Sequence, residues 1–497
     1  MEAYRKLEER HRRLADIGGA LGLLHWDRAT GMPDGGAEAR AAQIATLSVF
    51  AHRLKTETVA ADLLEAAEAE ASQLDDWQSA NLREMRRAWR HANAVPTDLV
   101  EALSTCASEA EMTWRSARAN DDFASLAPKL QALVALVREV AAAKAAAFGV
   151  TGYEALLDEH DPGRRVDEVE ARFAELEALL PGLLDSVLAH QAAHPAPVMP
   201  AGPFPHERQR ALGRKLMEVL GFDFRHGRLD VSHHPFTSGV PDDVRITTRY
   251  SDDDFTHSLM AVIHETGHAQ YERGLPQPWR RQPVGASQGM TLHESQSLLF
   301  EMQAGRSPEF IAFLAPLLRE IFDGAGDAWE VDNLVRVYHR VSRGCIRVDA
   351  DEVSYSLHVI LRTRLERALI ADELRVADLP GAWRDEMRRL LGVTPTGDAD
   401  GCLQDIHWPT GAFGYFPTYT LGALAAAQLS EAAQRAVPAL MPAIGRGDFS
   451  PLLGWLREHV HGCGSRYSSA ELIERATGRP LGTEAFAAHL RARYLDE

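Results

Sequence analysis

Cysteine is scarce in this chain. Four of its 497 residues are cysteines (Cys106, Cys345, Cys402 and Cys463), scattered and never paired as C-x-x-C. That excludes a disulfide framework and a thiol-based zinc ribbon or redox motif, and it suits a reducing cytoplasm. Positive charge is also short: 53 Lys and Arg face 71 Asp and Glu, for a net charge of −18. A balance of that sign argues against general nucleic-acid binding. No apolar run approaches membrane-spanning length, so no membrane partner is expected. The opening Met1-Glu2-Ala3-Tyr4-Arg5-Lys6-Leu7 reads as the start of a charged helix without an apolar signal core, so the expected location is cytoplasmic. No internal repeat and no low-complexity tract beyond Ala-rich helix is found.

What the chain does hold is helix. Ala, Leu, Glu and Arg abound, and these residues lose little on entering a helix. Residues 1 to about 190 are helical in pattern almost throughout, with a break at Gly149-Val150-Thr151-Gly152. Val169, Phe173, Leu176, Leu180, Leu183 and Val187 keep helical spacing over several turns. Pro195, Pro197, Pro200, Pro203 and Pro205 then force a loop. At this length a single compact core would be unusual. We therefore read residues 1–497 as one functional unit with a soft lobe boundary near 195–205, an ordinary surface loop being the alternative. From Leu229 to Tyr250 the pattern turns to strand; Asp243–Tyr250 is the clearest, rich in β-branched residues.

Directly after that strand comes His264-Glu265-Thr266-Gly267-His268, an H-E-x-x-H. On a helix the two imidazoles share one face and reach one metal ion, while Glu265 can activate a metal-bound water. Five letters match by chance often enough to need support. Leu259-Met260-Ala261-Val262-Ile263 precedes His264, so both histidines sit mid-helix in an apolar setting where unsatisfied imidazoles are costly. Ser251 and Asp254 resemble a capping box with Asp252 and Asp253 in the first turn, and Gly274 and Pro276 end the helix. Glu294, in His293-Glu294-Ser295-Gln296, supplies a third ligand at a separation that suits a second helix packing back on the first. Two His and one Glu leave the fourth position open, as a catalytic zinc requires. Glu301, seven residues on, shares the face of Glu294 and is a candidate to orient a ligand imidazole, with a solvated Glu as the alternative. Strand Asp243–Tyr250 beside the metal helix could pair with an extended peptide, or simply belong to a small structural sheet.

Further motifs stand in order along the chain: His234-Pro235-Phe236, Asp243-x-Arg245-x-Thr247, Gly285-Ala286-Ser287-Gln288, Ile346-Arg347-x-x-Ala350-Asp351 and Gly401-x-x-Gln404-Asp405-x-His407-Trp408. With the metal motif, His293-Glu294-Ser295-Gln296 and the segment from Trp26-Asp27 to Gly35-Gly36, these resemble the carboxypeptidase Taq family over most of the chain. The resemblance implies a mainly α, two-lobed helical zincin with a deep groove and a small β-sheet beside the metal helix, similar to neurolysin and angiotensin-converting enzyme. It implies a cytoplasmic homodimer that removes single residues from the free C-terminus of peptides with broad specificity. One zinc per chain is expected, with cobalt or manganese able to occupy the same ligands.

His264, His268 and Glu294 are thus the expected ligands and Glu265 the general base. In similar zinc peptidases a histidine and tyrosines of the corresponding region bind substrate and stabilise the oxyanion. His407, Tyr415 and Tyr419 are the matching candidates, with core packing as the alternative for either tyrosine. A terminal carboxylate calls for a planar guanidinium. Arg347 is preferred and Arg245 is second, an internal ion pair with Asp349, Asp351 or Asp243 being the alternative use. Gln288 is assigned to the groove or to support of the metal helix, and Asp405 to holding His407 in one tautomer. The rival activity is a zinc oligopeptidase or dipeptidyl carboxypeptidase. A peptide-binding protein with a structural metal is disfavoured, because such a site needs no Glu265.

Overall fold

The computed structural model describes residues 1–496. The N-terminal part winds through α1 (Glu2–Thr30), α2 (Ala37–Thr56), α3 (Thr58–Ala69), α4 (Asp76–Ala94), α5 (Thr97–Ala119), α6 (Phe123–Phe148), α7 (Gly152–His160) and α8 (Val166–Ala192). The expected break at 149–152 separates α6 from α7, where Thr151 and Glu154 form a capping box that starts the new helix. All six residues of the apolar stripe from Val169 to Val187 are buried. The proline-rich stretch is irregular, as expected, and Val198 exchanges two backbone hydrogen bonds with the Asn333 side chain.

After α9 (His206–Val219) come β1 (Gly227–Val231), β2 (Phe236–Val240) and β3 (Asp243–Thr248), in the order β1-β3-β2. β1 runs parallel to β3 and β2 antiparallel to it. This corrects one expectation: β3 is the central strand, both its edges are already paired, and it has none free for a peptide. Its Val244 and Ile246 instead pack on the metal-bearing helix through Val262 and Ala269.

That helix, α10, spans Thr256–Gly274 and is buried on nearly every side. It starts later than the Ser251–Asp254 box implied. Asp254 accepts from the Thr256 N–H and hydroxyl, Ser251 accepts from the Asp253 N–H, and the acidic residues precede the helix. The start is set by Phe255, which is buried against Phe204, Phe322 and Trp329 and fixes where the chain turns inward.

The rest is α11 (Gly289–Leu298), a π-helical continuation over Leu299–Gly305, α12 (Pro308–Phe322), α13 (Val331–Tyr338), α14 (Glu352–Ile370), α15 (Leu379–Leu391), α16 (Pro417–Ala436), α17 (Leu440–Ile444), α18 (Ser450–His459), α19 (Ser469–Thr477) and α20 (Glu484–Tyr494). Two large apolar cores result. One joins α5–α8 with α14, α15 and α20; the other joins α9–α12 with α18 and α19. α16 serves both: Leu421, Leu424 and Ala427 enter the first, and Ala425, Ala426, Leu429 and Ala432 the second.

The last helix braces the π segment. Arg493 donates to the carbonyls of Met302 and Gln303 and to Glu352, whose carboxylate also accepts from Tyr494 and pairs with His489. Burial opposes a charge on Glu352, but His489 and Arg493 outweigh it and hold its pKa down to about 2. A carboxyl depressed on folding contributes stability above its ordinary value and loses it as pH falls toward the folded one. Stability should therefore decline as pH falls from 4.5 toward 2. Denaturant titrations over that range should show a shallower decline for Glu352→Gln than for the native chain.

Candidate metal centre

α10 and α11 approach closely enough to bring three ligand atoms together. A Cβ on Gly267, inside the H-E-x-x-H, would lie 2.6 Å from the Gln296 carbonyl oxygen and 2.7 Å from Ser297 Cα. A Cβ on Gly422 of α16 would likewise meet Glu294 Cβ at 2.8 Å. The helix bearing Glu294 is thus seated against two glycines.

In that setting one donor atom each from His264, His268 and Glu294 lies within 4.8 Å of the others. His264 Nε2 is 3.8 Å from Glu294 Oε1, and His268 Nε2 is 3.7 Å from Glu294 Oε2. Tetrahedral bonds of about 2.0–2.2 Å would set such atoms roughly 3.3–3.6 Å apart, so the donor set fits one small divalent metal. Glu301 takes His264 Nδ1 at 2.9 Å, which leaves Nε2 free as the ligand atom, and Arg306 anchors Glu301 at 2.7 Å. Burial opposes a charge on His264, yet Glu301, Glu294 and Glu265 outweigh it and push its pKa up. His268, by contrast, is pushed well below the usual range by burial and by the nearby His293 and His264.

Glu265 is buried beside the ligands. Its Oε2 accepts from the Thr237 hydroxyl of β2 at 2.6 Å, which fixes the carboxylate and leaves its other oxygen available. Burial raises its pKa, against the lowering effect of His264 and Thr237.

A second cluster faces Glu294. Arg347 and Arg362 share Asp405, at 2.8 Å and 2.6 Å, and Arg347 also donates to Tyr355 at 3.1 Å. Arg347 stands over the Tyr419 ring, 5.0 Å from its centroid, and Tyr419 meets His407 Nε2 at 3.1 Å. Tyr415 packs edge-on against Tyr419. Burial raises the pKa of Glu294, with Arg347 among the charges that oppose the rise, and burial likewise raises the hydroxyl pKa values of Tyr355, Tyr415 and Tyr419, with Glu294 adding to each, so the two clusters are in electrostatic reach. Asp405 does not hold His407: their closest approach is 4.0 Å, because both Asp405 oxygens are taken by the two guanidinium groups. Burial, together with those guanidiniums, drives His407 down to about 3, so it is neutral.

Arg245 is placed elsewhere. It pairs with Asp243 at 2.7 Å and lies over Trp26 of α1, 4.6 Å from the ring centroid. Gln288 is buried at the start of α11, where its N–H donates to the Tyr271 hydroxyl at 3.1 Å.

Comparison with known proteins places this arrangement. The family model described as carboxypeptidase Taq (M32) metallopeptidase matches residues 6–494. The chain belongs to that family. Thermostable carboxypeptidase 1 of Thermus thermophilus is 39% identical over 502 residues, covering 99% of this chain and 98% of that protein. Among solved structures, Trypanosoma cruzi metallocarboxypeptidase 1 is 42% identical with a TM-score of 0.98, each chain covered in full. The M32 carboxypeptidase of Deinococcus radiodurans is 37% identical at a TM-score of 0.94, covering all of this chain and 99% of its own. The chain is accordingly a metallocarboxypeptidase, a hydrolase of peptides. Its mainly helical fold with one small sheet matches that membership.

Sequence reading missed four neighbours of this carboxypeptidase Taq site. Thr237 directly follows the His234-Pro235-Phe236 motif, but its partner Glu265 lies 28 residues away. Tyr355 and Arg362 sit on α14 with no motif of their own. His293 lies beside Glu294 in sequence and pairs with Glu272 at 3.0 Å while its ring lies against His268.

Proposed function

We propose that this metallocarboxypeptidase is zinc-dependent and releases single residues from the free C-terminus of peptides, with broad side-chain specificity and Glu265 as general base. The observation that carries this reading is the buried Glu265 carboxylate, set between two ligand histidines and steadied through one oxygen by Thr237. When bound by His264, His268 and Glu294, the metal supplies a Lewis acid and lowers the pKa of the attacking water. Glu265 takes the proton of that water and hands it to the leaving amine. Tyr415 and Tyr419 donate from their hydroxyls to the developing oxyanion, and His407 orients Tyr419.

The terminal carboxylate goes to Arg347. Two guanidiniums against one Asp405 leave a net positive charge in a largely buried cluster beside neutral His407, and an incoming carboxylate offsets it. Arg245 is the second candidate: Asp243 balances its charge one for one, so that pair offers no surplus positive charge to a carboxylate. Gln288 supports the metal helix, its backbone N–H donating to Tyr271 of α10. The same reading carries a cytoplasmic homodimer with one zinc per chain and cobalt as a competent substitute. It also carries two lobes flanking a groove, in the manner of neurolysin and angiotensin-converting enzyme; the support is the pair of cores that meet along α16. Among the described residues no helix is long and apolar enough to cross a membrane.

The test is mass spectrometry of a short peptide incubated with zinc-loaded and chelator-treated enzyme, beside the same peptide amidated at its C-terminus. The expected result is a ladder of single-residue losses that needs both metal and a free carboxylate. Cleavage of the amidated peptide would transfer the assignment to an oligopeptidase.

A further inference from the structure

Glu366 of α14 is completely buried, and none of its partners is a cation. Its Oε1 accepts from the Tyr153 hydroxyl and from the Gly414 N–H at 3.0 Å; its Oε2 accepts from the Trp408 indole N–H at 2.9 Å. A buried carboxyl satisfied only by neutral donors is costly to place, and burial pushes Glu366 up to about 7. Core packing alone would favour an apolar residue there.

The partners show what the carboxylate does. Tyr153 belongs to α7. Trp408 and Gly414 are the two ends of one loop, whose neighbours in the chain are His407 on one side and Tyr415 on the other. His407 and Tyr419 are twelve residues apart, yet Nε2 and the hydroxyl meet at 3.1 Å. The His407 ring also lies on Phe416, with centroids 4.4 Å apart. One side chain ties both ends of the loop to α14, the helix that also supplies Tyr355 and Arg362.

We propose that Glu366 is a positioning residue for catalysis: by clamping Trp408 and Gly414 it holds His407, Tyr415 and Tyr419 in register with the metal centre. This rests on the role given above to those three side chains. An amide cannot replace the clamp. Trp408 Nε1–H and Gly414 N–H can only donate, whereas the Tyr153 hydroxyl can rotate and accept. In either amide orientation of Glu366→Gln, one loop donor therefore faces an NH2 group and loses its acceptor.

The experiment uses the zinc-loaded full chain on a short peptide and measures kcat, KM, metal content and Tm for Glu366→Gln, Trp408→Phe and Tyr153→Phe. Glu366→Gln and Trp408→Phe should lower kcat about 10- to 100-fold, as loosened geometry does, with a far smaller change in KM and with metal retained. Tyr153→Phe removes a donor from the same carboxylate and leaves both loop donors, Trp408 and Gly414, paired with it, so it should lower Tm while kcat stays native. The proposal is overturned if Glu366→Gln keeps native kcat, or if Tyr153→Phe loses as much kcat as Glu366→Gln. Should Glu366→Gln fail to fold, native kcat in Trp408→Phe overturns it equally. His407→Ala and Tyr419→Phe separate the two levels. If both retain native kcat, the assigned role of the loop fails. If both lose kcat while Glu366→Gln does not, the clamp alone fails.

Discussion

Glu265→Gln should retain a full complement of bound metal and lose turnover by about 100- to 10,000-fold, the range expected when a general base is removed. The substitution is nearly isosteric, and Glu265 is not among the three grouped ligands. The Thr237 hydroxyl can still donate to the amide oxygen in place of Oε2, to which it now donates at 2.6 Å. The amide nitrogen then occupies the position from which a proton must be accepted, and it has no lone pair to accept one. Metal content by elemental analysis and kcat on one peptide decide the matter together. Turnover near the native rate with metal retained would remove Glu265 from the mechanism. Loss of metal would show that its part is to build the site.

The second large effect is expected from Gly267→Ala, a change of one methyl group. The new Cβ would meet the backbone of Gln296 and Ser297 at 2.6–2.7 Å, and a backbone cannot swing aside as a side-chain tip can. α11 has little freedom to shift either, because it is also packed closely on Gly422 of α16 at Glu294. Overpacking of this kind costs about 1–3 kcal/mol, and the relief available is to separate α10 from α11. Separation pulls Glu294 from His264 and His268. Metal affinity should therefore fall more steeply than Tm. Native metal affinity, measured by competition with a chelator, would show that the helix pair adjusts without moving its ligands.

The grouping of His264, His268 and Glu294, with Glu265 beside them, was legible because it depends on local spacing and chemistry: i and i+4 on one helix, and a carboxylate on the next. Glu301 was legible for the same reason, seven residues beyond Glu294. What escaped depends on where distant segments meet. Asp405 lies two residues from His407, and proximity in sequence suggested a pair. Two guanidiniums brought in by α14 and by the Ile346-Arg347 segment bind that carboxylate instead, and no spacing rule announces them. Asp243–Tyr250 was recognisable as a strand, ending two residues earlier at Thr248, but pattern alone does not say that it is central. The start of α10 was misplaced because Ser251 and Asp254 carry a genuine capping signal that the burial of Phe255 overrides. Glu366 and Tyr153 have ordinary sequence surroundings, and Thr237 only adjoins a motif; all three acquire their parts through the packing of separate elements.

Sharing α16 between the two large cores has a consequence for how this molecule comes apart. Leu421 and Leu424 face one core, and Ala425, Ala426 and Leu429 the other, within little more than two turns. Neither core can melt without stripping apolar cover from a helix the other still needs. Partial unfolding that would leave one half intact is therefore penalised, and α11, which carries Glu294 and lies against Gly422 of that same helix, is drawn into the cooperative unit. The small core around Tyr4, Leu7, Leu64, Leu82 and Met85 is separate from both. Local opening at low cost is thus expected at α1, α3 and α4, while α10 and α11 are expected to hold until the large cores are lost.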